Sequence, residues 1–248
     1  MSQYIDMPRL GLGTWQLEGQ KASDTVAQAI QLGYRHIDTA TRYDNEAAVG
    51  KGLQQSGVDR KELFVTTKIW YDQLAPEAMR RSAAASLERL QLDTVDLLLI
   101  HWPNPDPAWR LGDSLQTLLE IKQQGWAKNI GVANFPVALL QQAWGILGEE
   151  LKVNQVEYHF ALQQQALLGF TQKHNMLLTA YSPLARGVLT GKYMTNQTPD
   201  TNSRAGRGDA RILQTELRFE SLVIAQKIKE YAEAKGVSSV AFSLAWVL

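Results

Sequence analysis

The chain has 248 residues, 45% hydrophobic and 20% charged, with 25 Lys and Arg set against 25 Asp and Glu and no cysteine. That composition belongs to a globular chain with a sizeable core and excludes a disordered, collagenous or coiled-coil protein. Zero net charge offers no field to hold a nucleic-acid backbone or an anionic membrane surface, and the lack of cysteine excludes disulfides, thiolate metal sites and a cysteine nucleophile.

From the N-terminus, residues 1–10 carry Asp6, Pro8 and Arg9 where a signal peptide needs an apolar core, so the expected address is the cytoplasm. Residues 10–14 read as a first strand, and Ser23 and Asp24 open a helix that carries Val26, Ile30 and Leu32 and stops at Gly33. Residues 35–39 and 63–68 read as the next two strands, after which Pro76 opens a helix carrying Leu87 and Leu90. Residues 95–101 read as a fourth strand, followed by a helix from Asp113 or Ser114 that ends at Gly125. Residues 129–133, 153–157 and 177–181 complete seven strands. The near-continuous apolar run at 95–100 implies a parallel strand buried on both faces, and it is far too short to span a bilayer. A polar loop over 195–211 holds Arg204, Arg207 and Arg211, and helical patterns over 218–235 and 238–248 follow.

Alternating strands and helices leave two architectures, an open doubly wound sheet and a closed barrel. The open sheet wants a third glycine after Gly11-Leu12-Gly13, and Gln16 stands in its place. Seven units in unchanged rhythm favour an α/β (β/α)8 TIM barrel, one domain over residues 1–248. No run after Tyr181 reads as an eighth strand. The expectation is a barrel from which that strand is missing, with unpaired edges prone to associate into oligomers.

Barrel chemistry sits where strands end, and polar residues line up there: Asp38 with Tyr43 five residues on, Lys68, and His101. A tyrosine serves as a general acid when a nearby ammonium stabilises its phenolate, and Lys68 supplies that charge. Asp38 pairs with Lys68, and His101 can hydrogen-bond a carbonyl oxygen as charge develops on it. Trp15, Trp70 and Trp102 each follow a strand end and would wall a pocket for a small carbonyl compound. Scattered His and carboxylates offer no metal site.

The run Gly33-Tyr34-Arg35-His36-Ile37-Asp38-Thr39-Ala40 with Tyr43-Asp44-Asn45-Glu46 resembles the aldo-keto reductase signature, and Leu10 to Trp15 resembles that family's first strand. Gly131-Val132-Ala133-Asn134-Phe135, Asn154-Gln155-Val156-Glu157 and Ala180-Tyr181-Ser182-Pro183-Leu184 match later strand ends in order. The front half is similar to bacterial 2,5-diketogluconate reductase-type enzymes, and the part beyond Tyr181 resembles the long-loop branch that includes potassium-channel β subunits. The resemblance implies an NADPH-dependent oxidoreductase, with NADH not excluded, that reduces small aldehydes or ketones, sugar-derived ones and dicarbonyls among them. Asp38, Tyr43, Lys68 and His101 would be its catalytic tetrad with Tyr43 as proton donor. It also implies cofactor contacts from Thr14, Trp15 and Asp38, carboxamide contacts from Asn134 and Gln155, and stacking by Tyr181. Ser182, Leu184, Lys192 and Arg204 would surround the pyrophosphate. Ala133 stands where many members have serine, which removes one hydrogen bond worth about 0.5–1.5 kcal/mol.

Two other readings stay open on the residues alone. Lys68 could form a Schiff base in a lyase, although a neighbouring carboxylate raises a lysine pKa and opposes it. A cofactor-binding regulatory barrel without turnover is the other.

Overall fold

The computed structural model describes residues 5–193, 198–209, 212 and 219–248. In chain order the elements are β1 (Gly11–Gly13), α1 (Gly19–Gln31), β2 (His36–Asp38), α2 (Glu46–Gln55), β3 (Phe64–Ile69), α3 (Pro76–Leu90) and β4 (Val95–Ile100). They continue with α4 (Leu111–Gln123), β5 (Ala127–Ala133), α5 (Val137–Leu147), β6 (Leu151–Glu157), α6 (Gln165–Lys173), β7 (Leu177–Tyr181), α7 (Phe219–Ala234) and α8 (Ser239–Val247). The strands form one sheet in the order β1-β2-β3-β4-β5-β6-β7. Each pairing from β1 through β6 is parallel. Strand order that follows chain order, with a helix in each crossover, is the (β/α)8-barrel architecture. Seven of its strands lie among the described residues.

Contacts divide the chain into two compact units, the first comprising residues 1–155 and 166–179 and the second 156–165 and 180–248. The last two residues of β6 and of β7 count with the second unit.

In the first unit β3 and β4 are buried along their whole length, as the apolar run at 95–100 requires. Phe64, Leu97, Leu99, Ala133 and Val153 form a cluster, with Ile5, Met7 and Leu177 packed against it. Asp96 is the one charge in β4, and it is fully committed. Its carboxylate accepts from Arg60 Nη2 at 2.6 Å, Lys128 Nζ at 2.7 Å and the Val65 N–H at 2.9 Å. Helix α2 packs at backbone distance: a Cβ at Gly50 would stand 2.4 Å from the Leu90 carbonyl oxygen at the end of α3.

Two helix starts differ from the sequence reading. Helix α1 begins at Gly19 rather than at Ser23 or Asp24, because the buried Ser23 hydroxyl donates back to the Gln20 carbonyl at 2.9 Å and caps nothing. Helix α4 begins at Leu111 rather than at Asp113 or Ser114. Ser114 spends its hydroxyl on the Leu74 carbonyl at 2.7 Å while accepting from Trp109 Nε1 at 2.8 Å. Strand β5 also starts earlier, at Ala127 rather than Asn129, since Lys128 looks polar in sequence but its ammonium bonds the Asp96 carboxylate.

In the second unit Ala185, Val188, Leu189, Tyr193, Ala205, Ile212, Ala225 and Ile228 make a separate core, with Phe160 and Phe242 against it. Helix α8 contributes Trp246, stacked on Phe160 at 4.2 Å and on Tyr158 at 5.5 Å between ring centroids. Ser238 caps it by accepting from the Ala241 N–H.

Candidate active site

Strand β2 ends on Asp38, β3 carries Lys68 one residue before its end, and His101 directly follows β4. Tyr43 closes a short 3-10 turn, Thr41–Tyr43, in which its N–H donates to the Ala40 carbonyl at 3.1 Å. Lys68 is 0% exposed and the largest of the fully buried side chains. Its ammonium donates to Asp38 Oδ1 at 2.5 Å and to the Thr39 carbonyl at 2.8 Å. Its Nζ also lies 5.2 Å from the centroid of the Tyr43 ring, close enough for the two groups to act on each other electrostatically. The rings of Tyr43 and His101 meet edge to face at 5.5 Å. Asp38 Oδ2 accepts from Gln155 Nε2 at 2.8 Å, so both carboxylate oxygens are engaged.

Electrostatics follow from burial and that one ion pair. Burial pulls the Lys68 pKa down, but Asp38 and Tyr43 outweigh it and hold it above the ordinary lysine value, so the ammonium is charged. Burial raises the Tyr43 phenol above its usual value, Lys68 opposes that rise, and Asp38 adds to it. Desolvation outweighs the Lys68 ammonium, and the phenol is held in the protonated form that a proton donor needs. His101 is pushed down to about 3, by burial first and by Lys68 second, so it is a neutral imidazole. Its Nδ1 is buried with no hydrogen-bond partner, which leaves Nε2 as the nitrogen able to meet an incoming oxygen.

The turn that presents Tyr43 is clamped by residues absent from the sequence-based candidates. Asn45, 3% exposed, donates from Nδ2 to the carbonyls of Thr14 at 2.8 Å and Leu17 at 2.9 Å, and accepts from Thr39 Oγ1 at 2.9 Å. Thr41 Oγ1 donates to the Lys68 carbonyl at 3.0 Å. Glu46, the first residue of α2, is buried and accepts from Thr67 Oγ1 at 2.5 Å, from Ser86 Oγ at 3.2 Å and from Arg89 Nε and Nη2 at 2.9 and 2.6 Å. The carboxylate thereby ties α2 to α3 and to the residue before Lys68.

Thr14 is buried and spends its hydroxyl on the Asp38 carbonyl at 3.0 Å. Asn134 Nδ2 donates to the His101 carbonyl at 3.0 Å, and its own N–H donates to the Gln155 carbonyl at 2.8 Å. Trp70 stands edge-on to His101 at 5.0 Å, while Trp15 and Trp102 are 45% and 40% exposed.

In the second unit Tyr181 ends β7, Ser182 follows in the left-handed region with φ 51°, and Leu184 precedes a 3-10 segment, Ala185–Thr190. Lys192 is exposed and lies over the Tyr193 ring at 5.1 Å. The buried Tyr193 hydroxyl accepts from the Ala205 N–H at 3.3 Å, which anchors the residue after Arg204. Burial, then the like charge of Arg186, lowers the Arg204 pKa, with Asp209 opposing. Arg211, the third arginine of the loop, lies outside the described residues.

The aldo/keto reductase family pattern matches residues 9–248. The chain belongs to this family. It is 41% identical over 184 residues to a methylglyoxal reductase of Yersinia pestis, covering 74% of this chain and 69% of that one. It is 38% identical over 230 residues to a glyoxal reductase of Bacillus subtilis (strain 168), covering 92% of this chain and 81% of the relative. A crystal structure of an aldo-keto reductase complexed with NADPH superposes with a TM-score of 0.78 at 27% identity, over 99% of this chain and 73% of the other.

Within the first unit of this reductase, Asp38, Tyr43, Lys68 and His101 converge, with Gln155 bonded to the carboxylate and Trp70 beside the imidazole. Tyr181, Ser182, Leu184, Lys192 and Arg204 belong to the second unit, and Trp15 and Trp102 are exposed indoles of the first. Asn45 was within reach of sequence reasoning, since an Asn two residues after a functional tyrosine and before a helix is a natural turn clamp. Arg89, 43 residues from the Glu46 it pairs with, gave no local signal. Among the described residues no helix is long and apolar enough to cross a membrane.

Proposed function

We propose that this aldo-keto reductase reduces small aldehydes and ketones to alcohols with NADPH, acting in the cytoplasm. The observation that carries the reading is the buried Lys68 ammonium, bonded to the Asp38 carboxylate and 5.2 Å from the centroid of the Tyr43 ring. Bound NADPH supplies the hydride. Tyr43 Oη donates the proton to the carbonyl oxygen, and Lys68 steadies the phenolate left behind. Asp38 keeps Lys68 charged and in place, while neutral His101 hydrogen-bonds the same oxygen through Nε2 as negative charge builds on it. Lys68 held above its ordinary pKa is a poor Schiff-base nucleophile, which argues against a lyase.

Thr14, Trp15 and Asp38 lie beside the cofactor in this reading, and the side-chain amides of Asn134 and Gln155 meet the nicotinamide carboxamide. Ala133 offers no hydroxyl there. By likeness to the family, Tyr181 would face the nicotinamide ring, and Ser182, Leu184, Lys192 and Arg204 would hold phosphate. Arg204 is the cation of that group whose backbone is anchored on a buried residue, the Ala205 N–H donating to the Tyr193 hydroxyl at 3.3 Å. Trp15, Trp70 and Trp102 face the substrate. Likeness to relatives named methylglyoxal and glyoxal reductase supports a short dicarbonyl as substrate.

The test is NADPH oxidation with methylglyoxal by the purified chain beside Tyr43→Phe, with cofactor affinity titrated by fluorescence. Turnover should fall by about 10²–10⁴ in the variant while NADPH binding persists. Undiminished turnover removes Tyr43 from the role of proton donor, and absence of NADPH binding in the parent overturns the reading.

A further inference from the structure

The turn that carries Tyr43 presents one side chain that the tetrad does not use. Arg42 is exposed, and among the described residues no carboxylate lies within ion-pairing distance of it. Its guanidinium carbon lies 5.7 Å from the centroid of the Trp70 ring. The same indole meets His101 at 5.0 Å, and His101 meets Tyr43 at 5.5 Å. The guanidinium is therefore one indole away from the groups that would receive the reacting oxygen.

Its geometry is set beforehand. Thr41 on one side bonds the Lys68 carbonyl at 3.0 Å, and Tyr43 on the other bonds the Ala40 carbonyl at 3.1 Å, so the Arg42 backbone is fixed. The indole face attracts the cation and narrows its rotamers, which lowers the entropy lost when a ligand is gripped. Lys68, the cation of the tetrad, is fully buried and committed to Asp38. A charge on a substrate would thus meet Arg42 and not Lys68.

We propose that Arg42 is a carboxylate-recognition site beside the carbonyl pocket, giving this enzyme a preference for aldehydes and ketones that also bear a carboxylate. The planar guanidinium offers paired N–H donors to a carboxylate while the carbonyl reaches Tyr43 and His101. The proposal rests on the reductase reading above and adds no chemical step to it.

The experiment compares kcat/KM for succinic semialdehyde with that for butanal, two aldehydes of equal chain length that differ in charge. The parent should favour the semialdehyde, and the ratio should fall roughly five- to ten-fold in Arg42→Gln, less in Arg42→Lys and more in Arg42→Glu. Raising the ionic strength to about 1 M, where the screening length is about 3 Å, should lower the ratio in the parent more than in Arg42→Gln. A ratio that moves in none of the variants overturns the site while leaving the reductase reading intact. Absence of turnover with either aldehyde in the parent overturns both.

Discussion

Asp38→Asn separates the tetrad's electrostatics from its shape, because the substitution changes one charge and almost no volume. In the parent, Asp38 accepts from Lys68 at 2.5 Å and from Gln155 at 2.8 Å. An asparagine side chain has one acceptor oxygen, so its NH2 must face one of those two donors. The Lys68 ammonium, 0% exposed, would lose its counter-charge inside the protein. Removing one partner of a buried pair costs about 3–5 kcal/mol, a large share of the 5–15 kcal/mol that a domain typically has. At roughly 2–4 °C per kcal/mol for a chain of this size, Tm should drop on the order of 10 °C. The pH dependence carries the sign. Lys68 in the parent sits above its unfolded value, so its contribution is fully present below about pH 10.4 and is lost as pH rises through the folded value. With Asp38 gone, burial dominates and the Lys68 pKa falls below the unfolded value, so the variant should gain stability as pH rises. The Tm gap between the two should therefore narrow between pH 7 and pH 10, as read by circular dichroism. Turnover should fall as well, since a deprotonated Lys68 cannot steady the Tyr43 phenolate. A variant within about 2 °C of the parent, with a gap that does not change with pH, would refute the claim that this pair governs the site.

Asn45→Ala removes both donors that hold the carbonyls of Thr14 and Leu17 and the acceptor for Thr39, and should cost about 1–3 kcal/mol in urea denaturation. Its kcat should fall further than its affinity for NADPH, because the Tyr43 turn loosens. His101, at about 3, should show no change in its ring NMR signals between pH 5 and pH 8. Because its folded value lies below the unfolded one, its contribution to stability is present above about pH 6.5 and is lost as pH falls through 3. His36, lowered chiefly by burial, adds in the same direction, so Tm should decline steadily on acidification. If residues 1–248 act as one domain, as the sequence pattern suggests, urea unfolding followed by circular dichroism and by tryptophan fluorescence should give coincident transitions. Separated midpoints would assign the two contact-defined units independent stability.

Strand positions were legible where the chain writes them in unbroken apolar residues: β4 at 95–100 and β7 at 177–181 differ from the sequence reading by at most one residue. Boundaries blurred where polar side chains are spent inside the fold. Ser23 and Ser114 look like helix caps but bond backward or sideways, and Lys128 looks like loop but neutralises Asp96. The convergence of Asp38, Tyr43, Lys68 and His101 was legible because each lies at or just beyond a strand end, where a parallel sheet gathers side chains from distant stretches of chain. The balance of their pKa values was not. It depends on how deeply Tyr43 and Lys68 are buried, which sequence spacing does not report.

Lys68 also shows why fold and function are hard to separate in this site. A lysine with no exposure is tolerated because Asp38 and the Thr39 carbonyl take up its donors while Tyr43 stands beside it. Those partners sit on β2 and on the turn after it, so the interactions that satisfy the buried charge also fix the distance between Lys68 and the Tyr43 hydroxyl. A second buried carboxylate extends these ties, since Glu46 draws α2 against β3 and α3 through Thr67, Ser86 and Arg89. Any change that loosens this lattice should therefore lower stability and turnover together. Arg42, exposed and outside the lattice, is the residue at which selectivity can change without disturbing that coupling.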